Sequence, residues 1–93
     1  MVKKGRKKGE FTFIYKVQPL PKLVYLAGSF NHWSPVNLPM EKNKDGTFSK
    51  NLLLGPGRYE YKFITDGIWM NDPDASENVP NNFGTLNSVV RVK

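Results

Sequence analysis

The chain has 93 residues, 39% of them apolar and 13% aromatic, with no cysteine and a formal net charge of +6. That length makes one domain, large enough to fold by itself, and the composition excludes a disordered chain, a disulfide-stapled miniprotein and a thiolate metal site. The charge is local: setting Lys3, Lys4, Arg6, Lys7 and Lys8 aside from the 14 basic residues leaves 9 against 8 acidic ones, so the remainder is nearly neutral.

Residues 1–9 are therefore expected as a solvated, disordered basic tail in front of a domain spanning 10–93. Electrostatic attachment of that tail to nucleic acid is the alternative, and nothing in the neutral remainder supports it. No apolar run of roughly 7–15 residues follows the basic start, so a secretory leader is not expected. No stretch approaches the roughly 18 apolar residues that cross a bilayer. With no cysteine, a reducing, cytoplasmic setting is the expectation, with neither nucleic acid nor membrane as partner.

Glu10 to Val17 alternates Phe11, Phe13, Tyr15 and Val17 with Thr12, Ile14 and Lys16, the pattern of a strand. Gln18 to Lys22 holds two prolines and cannot continue a central strand. Leu23 to Ala27 is a second strand, apolar enough to be covered on both faces. Gly28 to Pro39 is a long connection in which polar and turn residues surround Phe30 and Trp33. Asn43 to Gly46 is a turn signal, followed by a strand from Thr47 to Leu54 and a second turn at Gly55-Pro56-Gly57.

The next stretch, Arg58 to Asp72, organises the rest. Tyr59, Tyr61 and Phe63 share one side of an extended strand, and Arg58, Glu60, Lys62 and Ile64 share the other. Asp66-Gly67 supplies a two-residue turn that tolerates positive φ, and Trp69 lies on the returning arm. Asp72 to Gly84 reads as a polar loop, and Thr85 to Val92 as a last strand. No window shows a capped 3.6-residue period, so no α-helix is expected. Five or six strands with closely spaced turns point to an all-β, immunoglobulin-like antiparallel β-sandwich; a small closed barrel is the alternative.

Catalytic groups are scarce. His32 is the only histidine, and a zinc site without cysteine would need mostly carboxylate ligands, so neither metal nor cofactor is expected. Asp66, Asp72 and Asp74 invite comparison with a glycosidase pair. Asp66 precedes Gly67 and Asp72 precedes Pro73, however, both turn positions where aspartate bonds its own backbone. The chain is not expected to be an enzyme.

Binding is what remains. Trp33 and Trp69 lie in polar, turn-rich surroundings, and each is either a plug over the sandwich end or an exposed platform. Phe83, Thr85 and Asn87 alternate on one side of the last segment, while Leu86, Val90 and Val92 face the core. A flat ring beside hydroxyl and amide groups suits a ligand with apolar faces and many hydroxyls, as a sugar ring has.

The segments YLAGSFNHWSP, GPGRYEYKFITDGIWMNDP and FGTLNSVVRV closely resemble the family 48 carbohydrate-binding modules, most of all the glycogen-binding domains of AMP-activated protein kinase β subunits. The likeness runs from about Leu23 to Val92. It implies an immunoglobulin-like sandwich that binds α-1,4-linked glucan without catalysis; a monomer is expected. A glucan-active enzyme or kinase is the protein partner it implies, and a docking domain that binds no glucan of its own is the other reading. By the same resemblance Trp33 and Trp69 are the stacking pair. Lys62 and Asn87 bond sugar hydroxyls, and Thr85 is a supporting polar contact. Phe83 stands where the kinase domains have a leucine that pushes into the curve of the glucan, a wider side chain in the same apolar role.

Overall fold

The computed structural model describes residues 1–93. Its strands form two antiparallel sheets packed face to face. In the first sheet β1 (Val2–Lys4), β2 (Glu10–Tyr15), β5 (Phe48–Leu53) and β4 (Glu41–Lys42) lie side by side in that order. In the second the order is β3 (Val24–Gly28), β6 (Gly57–Thr65), β9 (Leu86–Val92) and β8 (Asn78–Pro80), with β7 (Ile68–Met70) also paired to β6. Two separate sheets make an immunoglobulin-like sandwich and leave no closed barrel. No helix is long and apolar enough to cross a membrane.

The alternation in β2 does what its pattern predicts: Phe11, Phe13 and Tyr15 are buried, and Thr12 and Ile14 are half-buried between them. From the opposite sheet Val24, Leu26, Tyr61 and Phe63 meet them, and Phe48, Leu54, Met40 and Val92 complete the core. Aromatic pairs tie the sheets together. Phe13 meets Tyr61 edge-on at 5.0 Å, and Tyr15 stacks on Phe63 at 4.3 Å. Such pairs each contribute about 0.5–1.5 kcal/mol beyond the area they bury.

β6 is the central strand of the second sheet. One edge pairs with β3 over residues 61–65. The other pairs with β9 over residues 57–61 and then with β7 over residues 63–65. Thr65 faces Ile68 across a two-residue turn, with φ of 47° at Asp66 and 87° at Gly67. Two positive φ values are what a mirror-image type I turn requires. The Asp66 carboxylate does not bond its own turn, as the sequence suggested. It accepts the backbone N–H groups of Lys22 and Leu23, at 3.1 and 2.9 Å, and so ties the hairpin to the start of β3.

The fold differs from the sequence pattern at five further points. Val2–Lys4 forms an edge strand on β2, on which Lys3 and Lys4 stay exposed to solvent. β2 would otherwise present a row of unpaired backbone groups, which pairing satisfies. The second face of β6 is covered: Ile64 and Lys62 are buried on the side opposite Tyr61 and Phe63. Leu86, expected in the core, is exposed at the mouth of β9, where Ser88 takes the inward position. Lastly, the polar loop after Asp72 contains β8, and the connection after β3 opens with a 3-10 turn over Ser29–Asn31.

Candidate functional site

The loop after β3 is built around Asn31. Its Oδ1 accepts the Gly28 N–H at 2.9 Å, and its Nδ2 donates to Asn37 Oδ1 at 2.8 Å, with longer approaches to the Leu26 and Ser34 carbonyls. Phe30 packs into the core against Phe13 at 5.5 Å. Gly28 is obligatory, because a Cβ there would lie 2.6 Å from the Glu60 carbonyl oxygen and 2.6 Å from the Phe30 ring. His32 and Trp33 both take left-handed backbone angles, φ 55° and 58°, although neither is glycine. Such a conformation costs about 1–2 kcal/mol per residue and persists only where surrounding bonds over-determine it. The result is that the Trp33 indole turns onto the outer face of the second sheet.

Trp69 reaches the same face from β7. It pairs across from Ile64, on the side of β6 that also holds Lys62. The indole centroids of Trp33 and Trp69 are 6.5 Å apart and tilted by 45°. Trp69 keeps 43% of its surface exposed. The two rings flank a groove of about 860 Å³, floored by Glu60, Lys62, Thr85 and Asn87 and closed on its far side by Asn81 and Phe83. Phe83 is 89% exposed at the rim.

The floor is one hydrogen-bonded chain. Lys62 Nζ donates to Thr85 Oγ1 at 3.1 Å and to the Leu86 carbonyl at 3.0 Å. Asn81 Oδ1 accepts the backbone N–H groups of Phe83 and Thr85, which obliges its Nδ2 to face the other way. That nitrogen donates to Thr85 Oγ1 at 2.7 Å and to Asn87 Oδ1 at 2.9 Å. Asn87 Nδ2 therefore faces Glu60 Oε1, at 3.0 Å, and Glu60 Oε2 accepts Arg58 Nη1 at 2.9 Å. The Asn87 amide and the Arg58 guanidinium hold the Glu60 carboxyl below its usual range. Burial pulls the Lys62 ammonium below the usual lysine range, because desolvation penalises its charge.

The floor keeps hydrogen-bond donors in reserve. Lys62 has used two of three, Asn87 one of two, and the Thr85 hydroxyl none, since it only accepts. Three donor hydrogens are left without a protein partner on side chains that line a groove walled by indole. Such a surface takes a ligand with vicinal hydroxyl oxygens and an apolar ring face. No group of three His, Cys, Asp or Glu side chains is placed to hold a metal ion.

All six residues singled out in the sequence, Trp33, Lys62, Trp69, Phe83, Thr85 and Asn87, line this one groove. Glu60 and Asn81 were missed. Glu60 was legible, standing two residues before Lys62 on the same strand face. Asn81 was not, because its role depends on β8 lying against β9. Asp72 lies outside the groove and is buried. It accepts the Tyr61 hydroxyl at 2.7 Å, the Asp74 N–H at 2.9 Å and the α-ammonium of Met1. It serves the fold, in keeping with its expected turn role.

Residues 11–93 match the family model described as the glycogen recognition site of AMP-activated protein kinase. The chain is similar to the protein FLOURY ENDOSPERM 6, chloroplastic, of Oryza sativa subsp. japonica, at 58% identity over 50 residues, which is 54% of this chain and 9% of that protein. It is 42% identical over 72 residues, or 77% of its length, to 5'-AMP-activated protein kinase subunit beta-1 of Sus scrofa and of Homo sapiens, covering 56% and 25% of those proteins. It thus spans about half or less of the length of these relatives. Among solved structures, a maltogenic amylase from S. marinus superimposes over 100% of this chain and 16% of its own, with a TM-score of 0.76 at 23% identity, a likeness of fold.

Proposed function

This chain belongs to the carbohydrate-binding family whose model describes the glycogen recognition site of AMP-activated protein kinase, and on that premise we propose that the groove beside β6 is where it holds α-1,4-linked glucan. The module is a non-catalytic glucan binder. The observation that carries the placement is the pair of indoles, 6.5 Å apart, over a floor with three spare hydrogen-bond donors. In this reading Trp33 and Trp69 stack on consecutive sugar faces, Lys62, Asn87 and Thr85 donate to hydroxyl oxygens, and Phe83 fills the curve of the chain.

In this proposal residues 10–93 carry the binding domain, with β1 paired along its edge, and the module acts as a monomer in the cytoplasm. Docking to a kinase or a glucan-active enzyme belongs to the same proposal. The test is titration calorimetry with maltoheptaose and β-cyclodextrin. Binding to the wild type, with loss in both Trp33→Ala and Trp69→Ala, is the expected result. No heat with either ligand, or full binding by both variants, refutes it.

A further inference from the structure

The groove has donors to spare and few acceptors. A glucose unit presents vicinal hydroxyls, each of which both accepts and donates. The spare hydrogens of Lys62, Asn87 and Thr85 satisfy hydroxyl oxygens, and these three side chains offer the hydroxyl hydrogens no charged acceptor. Thr85 Oγ1 already accepts two hydrogen bonds, and Asn87 Oδ1 already accepts from Asn81. One carboxylate lines the groove, that of Glu60.

We propose that Glu60 is a ligand-contacting residue of this groove, accepting the hydrogen of a secondary sugar hydroxyl and holding the Asn87 amide with its nitrogen toward the ligand. The inference rests on the glucan reading and extends it to specificity: the groove requires hydroxyls that donate, not merely ether oxygens that accept. The geometry supports this from two sides. Each carboxylate oxygen makes one bond, Oε1 with Asn87 and Oε2 with Arg58, and each keeps a lone pair. The Asn87 orientation is not a free choice, because Asn81 is fixed by two backbone N–H groups and presents only a donor to it. Asn87 must then offer its nitrogen to Glu60, and only an acceptor at position 60 suits it. Asn87 and Arg58 also hold the Glu60 carboxyl below its usual range.

The experiment pairs a protein change with a ligand change. Wild type and Glu60→Gln are titrated with β-cyclodextrin and with heptakis(2,3-di-O-methyl)-β-cyclodextrin, whose ether oxygens accept but cannot donate. The wild type is expected to prefer the unmethylated ring about tenfold, in line with a charge-assisted hydrogen bond. Glu60→Gln is expected to lose about tenfold on β-cyclodextrin and less than twofold on the methylated ring. Equal losses on both ligands, or no loss on β-cyclodextrin, overturn the role of Glu60 while leaving the glucan reading intact. A wild type that binds both rings equally overturns it without reference to any variant. A wild type that binds neither ring overturns this inference, and one that also gives no heat with maltoheptaose overturns the glucan reading with it.

Discussion

Replacing Trp69 by alanine tests the stacking chemistry most directly. An indole side chain carries roughly 250 Å² of accessible surface, and 43% of Trp69 is exposed. About half of that exposed area lies under a stacked sugar, on the order of 50 Å², and the sugar face buries a similar area in turn. At about 25 cal/mol per Å² the pair contributes about 2.5 kcal/mol. Trp69→Ala is therefore expected to weaken β-cyclodextrin binding by about 70-fold, read by titration calorimetry. The fold should survive, because the ring sits outside the core cluster. A thermal midpoint lowered by less than about 10 °C fits a loss near 1 kcal/mol in a domain of this size. A loss of affinity under threefold refutes the stacking role. Collapse of the fold shows the ring to be a plug over the sandwich.

Lys62→Met keeps the length of the side chain and removes the charge that burial penalises. Stability is expected to stay within about 1 kcal/mol of wild type in a urea melt, while glucan affinity falls about tenfold. Tyr61 has its hydroxyl pKa raised above the usual tyrosine value by burial, reinforced by the Asp72 carboxylate. A raised pKa gives stability that is complete below the unfolded value near 10 and is lost as pH climbs above it, because the unfolded state then binds fewer protons. Tyr61→Phe is expected to flatten that alkaline decline and to cost about 1–2 kcal/mol at neutral pH, since Asp72 loses a donor; chemical melts at pH 7 and above pH 10 read both effects. Gly28→Ala places a methyl against the Glu60 carbonyl and the Phe30 ring. It should lower stability by about 1–3 kcal/mol and abolish glucan binding, whereas a variant with unaltered melting and affinity shows the close approach to be dispensable.

Local pattern carried a large part of the fold. Phe11, Phe13 and Tyr15 alternate and are buried; Tyr61 and Phe63 alternate and meet them from the other sheet. Asp66-Gly67 turns the chain in two residues because glycine and aspartate tolerate positive φ there. Period-two alternation separates the two faces of a strand, but it does not say what covers either face. Lys62 and Ile64 read as an outward side and are buried, because the returning arm β7 brings Trp69 alongside Ile64 and two segments distant in sequence, the Trp33 loop and the stretch from Asn81 to Asn87, gather around Lys62. Val2–Lys4 read as a charged tail because charge sums say nothing of an open strand edge waiting on β2. The groove divides in the same way. Its indoles, lysine and asparagine were legible as residue types in a recognisable order. The acceptor at Glu60, the amide chain through Asn81 and the left-handed turn that aims Trp33 come from long-range pairing and a close backbone approach, and only the folded sheet supplies those.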